Sequence, residues 1–322
     1  MSDQVFIWGA FGLFVAAMLA VDLGVLGGRN RTIGIKEALV WSGIWVVVAL
    51  VFNVGIYFFF QDSERALNFL AGYLIERALS LDNIFVFLVI FSYFGVAPHH
   101  QYKVIFWGII GAVVLRALFI AAGIALIAKF HWLIYIFGAL LVWTGIKMAL
   151  QKGEQIDLEQ NPVVRLCRRF IPLTEGYEGD RFFVNREGRR LATPLFVVLL
   201  VVSVMDVVFA IDSVPAVFAI TLDPFIIFSS NVFAVLGLRA LYFALAGLMQ
   251  LFHHLHYGLS LILVFVGAKM LLTYFGIDIP VEVALGVLLA ILLISVVVSI
   301  FYPQPAPPDP VHQPDDQTKA DH

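Results

Sequence analysis

Apolar runs long enough to cross a bilayer follow one another along most of this chain, separated by short polar connections. They cover residues 5–26, 38–60, 67–94, 104–128, 133–150, 194–220, 225–251, 257–275 and 281–301. At roughly 20 residues per crossing the pattern predicts about nine transmembrane helices. Between 151 and 193 the pattern turns charged and polar, and Phe182, Phe183 and Val184 ahead of Asn185, Glu187 and Gly188 predict a small hairpin there. The tail over 303–322, rich in Pro, Gln and Asp, is expected to be extended and disordered.

Composition agrees with that pattern. The chain is 61% hydrophobic and 13% charged, where soluble domains carry roughly 25% charged residues. An all-α, polytopic transmembrane helical bundle follows. A net charge of −3 is too small to point to nucleic acid, and the single cysteine, Cys167, excludes an intrachain disulfide and a thiolate metal cluster. The first run lacks a basic leader, so it reads as a span and not as a cleavable signal peptide. With the N-terminus outside, about thirteen Lys and Arg fall in inner connections, eight of them between Lys152 and Arg190, and only Arg65 and Lys129 fall outside. That bias predicts a multi-pass protein of an inner membrane, N-terminus outside and C-terminus cytoplasmic.

Two stretches break the apolar pattern from within. The first, L-I-E-R-A-L-S-L-D-N-I-F-V-F, places Glu76 and Asp82 inside a span, and the second, V-M-D-V-V-F-A-I-D-S-V-P-A-V-F, places Asp206 and Asp212 at the same six-residue spacing. A charge near the bilayer centre costs about 2.5–3.5 kcal/mol on insertion scales, so function is the default reading. Further matches follow in the same order: V-L-R-A-L-F around Arg116 with G-L-R-A-L-Y around Arg239, and T-G-I-K-M-A-L around Lys147 with V-G-A-K-M-L-L around Lys269. They define two three-helix units, and an odd number of spans per unit inverts the second relative to the first. The chain then divides into two N-terminal helices with a basic loop (1–66), a first repeat (67–150), a cytoplasmic loop (151–193), an inverted second repeat (194–276), a last helix (277–302) and the tail.

Six helical residues span about 9 Å along the axis and leave two side chains about 120° apart. Glu76 and Asp82 therefore serve successive positions on a path, or their helix is broken near Ser80; Pro215 gives the second stretch a similar opportunity. Asn83, Ser213 and Asn231 are candidate neutral oxygen ligands or path residues, with helix-packing hydrogen bonds, and for Asn231 a helix cap, as the competing roles. Asp22 is an entrance group or an interfacial one. Arg116 and Arg239 are counter-charges of a vacant site or structural partners of carboxylates, while Lys147 and Lys269 snorkel from span ends. A competing account makes all four acids structural partners of Arg77, Arg116, Arg239 or the lysines. His253, His254 and His256 fall in a connection and read as solvated. Carboxylate, amide and carbonyl oxygen without thiolate suits Mn²⁺, Mg²⁺ or Ca²⁺, and clustered acids make exchange against protons chemically reasonable.

The stretches E-R-A-L-S-L-D-N-I-F, M-D-V-V-F-A-I-D-S-V-P-A-V-F-A and S-S-N-V-F-A-V-L-G-L-R-A-L-Y-F resemble the TerC family of integral membrane proteins, its Alx-like branch above all. The resemblance implies metal homeostasis: the family is linked to tellurium resistance, alkaline response and Mn²⁺ export, within a grouping that includes lysine exporters. It puts the family's acidic motif residues on Glu76, Asp82, Asp206 and Asp212. The expectation is a Mn²⁺ exporter with no enzymatic activity and no resident cofactor, embedded in lipid. The loop over 151–193 is available to a protein partner or a second copy. The rivals are an exporter of a basic amino acid and a membrane scaffold whose acids are structural.

Overall fold

The computed structural model describes residues 2–26, 34–150, 172–174, 176–186, 189–246 and 255–301. Among the described residues ten α-helices make up the bundle: α1 (Ser2–Leu26), α2 (Ile35–Phe60), α3 (Ser63–Tyr93), α4 (Pro98–Lys129), α5 (Leu133–Leu150), α6 (Pro194–Phe218), α7 (Pro224–Leu236), α8 (Leu238–Ala246), α9 (Leu255–Leu272) and α10 (Val281–Phe301). Their starts are written locally. Asp62 accepts from the backbone N–H groups of Glu64 and Arg65 at 2.9 and 3.2 Å, and Asp223 caps α7 in the same way. Pro98, Pro194 and Pro224 occupy first-turn positions, where a missing N–H costs nothing.

Among the described residues, eight helices are long and apolar enough to cross a membrane, α7 and α8 together forming one of these crossings. The ninth is α3. At 31 residues it is about 46 Å long, ample for a span, but Glu76, Arg77 and Asp82 dilute its apolar character. Outer faces present Phe58, Leu118, Trp143 and Leu293, the surface expected against lipid tails. α3 and the α7–α8 crossing sit innermost, with α4 and α6 packed against them as well as α2 and, on α3, α10.

The expected hairpin is present. Strand β1 (Phe183–Arg186) pairs antiparallel with β2 (Arg189–Ala192), in the register Phe183 opposite Ala192 and Val184 opposite Leu191. The preceding segment closes onto it, with Thr174 N–H donating to the Ala192 carbonyl at 2.9 Å.

The helix interruptions are not where the sequence reading allows them. α3 runs unbroken through Ser80, whose hydroxyl turns back onto the Glu76 carbonyl at 2.7 Å and so stays within its own helix. α6 is likewise continuous to Phe218; Pro215 lies in its last turn, where removing one donor leaves the rest of the ladder intact. The break lies instead at Gly237, between α7 and α8. A Cβ there would stand 2.6 Å from Arg77 Nη1, so glycine is what admits this guanidinium. Arg77 donates to the Ala234 carbonyl at 3.2 Å and to Ser42 Oγ at 3.0 Å.

Candidate functional site

Glu76, on the inner face of α3, and Asp206, on α6, reach the same guanidinium. Arg116 Nη1 of α4 donates to Glu76 Oε2 at 2.5 Å, while Nε and Nη2 donate to Asp206 Oδ2 and Oδ1, each at 3.3 Å. Nη1 also donates to Asn231 Oδ1 of α7 at 2.8 Å. All four side chains are buried; Glu76 is 0% exposed and Arg116 2%. Two carboxylates around one guanidinium leave a net charge of about −1 in a medium where each unpaired charge is costly. Glu76 Oε1 is buried without a hydrogen-bond partner, so the cluster keeps unused acceptor capacity; Ser213 Oγ, on α6, is likewise unpartnered. A recess of about 300 Å³ between α4 and α6, lined by Leu115, Leu118, Phe119 and Ala210, reaches Arg116 and Asp206 from the side.

Asp82 and Asp212 form a second station. Asp82 is close enough for its charge to act on Asp212, and Thr144 Oγ1 of α5 donates to Asp212 Oδ1 at 3.1 Å. His256, at the start of α9, acts electrostatically on Asp82 and bonds the Met148 carbonyl at 2.5 Å. An unbroken α3 removes the alternative of a helix broken near Ser80 and keeps Asp82 apart from the Glu76–Arg116 cluster, while the contacts of Glu76 and Asp206 with Arg116 are those of the competing structural account. Among the described residues, no three Asp, Glu, His or Cys donors converge in the membrane interior.

Other candidates separate from this core. Asn231 is not a cap: Asp223 holds that position, and Asn231 lies mid-helix, accepting from Arg116 while donating to the Ile227 carbonyl at 3.3 Å. Asn83 is buried on α3. Asp22 is 3% exposed and makes a buried ion pair at 2.8 Å with Arg239, which is 0% exposed and sits 4.4 Å from the Tyr102 ring centroid. Among the described residues Arg239 thus pairs with Asp22 and makes no ion pair with the four acids. His256 belongs to a helix and not to a connection; His253 and His254 lie outside the described residues. Sequence reasoning missed Thr144, which follows Trp143 in an otherwise apolar run, and passed over His256; a polar side chain inside a predicted span was the available signal for Thr144.

The description "Integral membrane protein TerC family" matches residues 61–306, which include both stations and all of α3 to α10. The chain belongs to the TerC family. Among curated TerC-like relatives, an "Uncharacterized membrane protein STKORF319" of Myxococcus xanthus is 49% identical over 94% of this chain and 94% of its own length. The "Putative membrane-bound redox modulator Alx" of Escherichia coli K12 is 45% identical over 91% of this chain and 94% of its own. No solved structure matches this TerC chain significantly. Its standing as a multi-pass integral membrane protein rests on the family match together with the helices described above.

Proposed function

We propose that this TerC protein is a transporter, not an enzyme, and that it exports Mn²⁺ from the cytoplasm across an inner membrane, with its N-terminus outside and protons as the counter-ion. One observation carries the reading: Glu76, Asp206 and Asn231 converge on Arg116 in the membrane interior, with one carboxylate oxygen left unpartnered. Buried acids without an apolar substitute are a costly way to hold helices together, and a natural way to receive a cation. The donors are oxygens, which suits a hard divalent ion. Arg116 is then the resident cation that holds the acids in place until the substrate displaces it, and Asp82 with Asp212 and Thr144 forms the next position along the path. Protons returning to the vacated acids complete the exchange.

A second reading has its own support. The Glu76–Asp206 pair already holds a guanidinium, which is the head group of arginine and close in charge to that of lysine. Redox modulation, the term attached to Alx, draws less from this chain, whose only cysteine is Cys167. The test is flux into inverted vesicles or proteoliposomes, with labelled Mn²⁺ and labelled lysine and arginine offered in parallel. Mn²⁺ accumulation that is lost in Asp206→Asn and Asp212→Asn supports manganese export. Amino-acid accumulation with no Mn²⁺ transfers the site to the rival, and no flux of either overturns transport.

A further inference from the structure

Outside the membrane interior, three ligating side chains meet at a place the transport path does not use. His99 and His100 are the second and third residues of α4, and Asp180 belongs to the segment leading to β1. One ligand atom from each lies within 4.8 Å of the others. Two imidazoles and one carboxylate with a coordination position to spare is a familiar ligand set for a borderline divalent ion such as Zn²⁺ or Co²⁺. Metal bonds of roughly 2.0–2.2 Å put donors about 3.3 Å apart, so closure needs His99 to move in by up to about 1.5 Å through side-chain rotation while the 2.6 Å His100–Asp180 contact opens by about 0.7 Å.

The surroundings supply the support such a site needs. His100, 8% exposed, stacks on Tyr177 with the ring planes 19° apart, and the Tyr177 hydroxyl donates to the Phe94 carbonyl at 2.6 Å. His100 Nδ1 already meets Asp180 Oδ1 at 2.6 Å. Lys103 is the nearby charge that opposes a cation, yet its ammonium is turned to the Asp180 backbone carbonyl and lies 4.7 Å from the Phe182 ring centroid, which steadies the loop that carries the carboxylate. Outer partners of this kind fix ligand orientation.

We infer that His99, His100 and Asp180 form a site for a borderline divalent cation which fastens the 172–193 segment to the start of α4. The neighbouring residues of the same turn lead inward. Gln101 accepts from the Tyr242 hydroxyl of α8 at 2.8 Å, and Tyr102 lies against Arg239. Metal occupancy at this surface therefore bears directly on the α4–α8 contact that holds the buried Asp22–Arg239 pair.

The test uses the full chain without a polyhistidine tag, purified in detergent and titrated with Co²⁺ while its visible ligand-field absorption is followed. Wild type should bind Co²⁺ with the intense bands of a low-coordinate site. His99→Ala is the decisive variant: His99 is exposed, and its loss leaves the His100–Asp180 hydrogen bond in place. It should weaken binding by about tenfold or more, whereas a purely structural His100–Asp180 contact would be indifferent to it. Asp180→Asn should do the same, and Asp206→Asn/Asp212→Asn should leave the bands unchanged even if it abolishes transport. Zn²⁺ should also slow tryptic cleavage after Arg181 and Arg186 in wild type but not in His99→Ala. No bands in wild type, or equal bands in wild type and His99→Ala, overturns the site whatever the flux experiments give.

Discussion

Arg116 Nη1 lies 2.5 Å from Glu76 Oε2, an ion pair formed by side chains 3% and 1% exposed. Breaking such a pair from the cationic side leaves Glu76 and Asp206 buried together with nothing between them. Arg116→Met should destabilise the protein by about 3–5 kcal/mol, read as a lower unfolding temperature in detergent. Added Mn²⁺ should recover part of that loss if the ion takes the place of the guanidinium. An equal shift with Mn²⁺ in wild type and variant, or none in either, would count against displacement.

The two stations should respond differently to the same chemical change. Asp206→Asn removes a two-point contact with Arg116 and should lower both stability and Mn²⁺ flux. Asp212→Asn keeps an oxygen for the Thr144 hydroxyl, so thermal stability should stay within about 1 kcal/mol of wild type while flux is lost. Thr144→Val should reduce flux without abolishing it. Flux and melting measured on the same preparations separate these outcomes.

Asp22 and Arg239 provide a control on burial without transport. Either single change, Asp22→Leu or Arg239→Met, should cost about 3–5 kcal/mol, and the double replacement should be milder than the worse single, because no lone charge remains. A double-mutant cycle by chemical denaturation checks this. A double variant as unstable as the sum of the singles would show that the pair does not act as a unit.

The backbone-to-backbone approach of α5 and α9 is a further point of failure. A Cβ on Gly145 would meet the Ser260 carbonyl oxygen at 2.7 Å, and one on Gly267 would meet the Gly138 carbonyl oxygen at 2.6 Å. Backbone cannot yield as a side chain tip does, so Gly145→Ala and Gly267→Ala should each cost about 1–3 kcal/mol by forcing α5 and α9 apart. Gly286→Ala, where a Cβ meets nothing within 4 Å, should be neutral. Yields of monodisperse protein by size-exclusion chromatography give the comparison.

Helices, the hairpin and the four acids were legible because each is carried by local signals: apolar length, capping residues, turn residues and charge out of place. What was not legible depends on distant partners. Asn231 looked like a cap until Arg116, 115 residues earlier, is seen to take its amide oxygen. The helix break was sought at Ser80 and Pro215, where sequence marks weakness, but it sits at Gly237, where Arg77 from 160 positions earlier needs room. Thr144 and His256 gained meaning only once α5 and α9 were packed beside α3 and α6. Between the two alternatives for Glu76 and Asp82, only the continuity of α3 decides against a break, and helix geometry then sets their divergence.

The break at Gly237 has an electrostatic consequence. A helix that stops inside a bundle ends in carbonyls carrying roughly half a negative charge, and in many transporters such an end is offered to the travelling cation. Here Arg77 is already bound at the end of α7 through the Ala234 carbonyl. The half-helix dipole is therefore met from within the protein, and under the proposed transport this helix end is not free for a substrate cation, which falls to the side-chain oxygens instead.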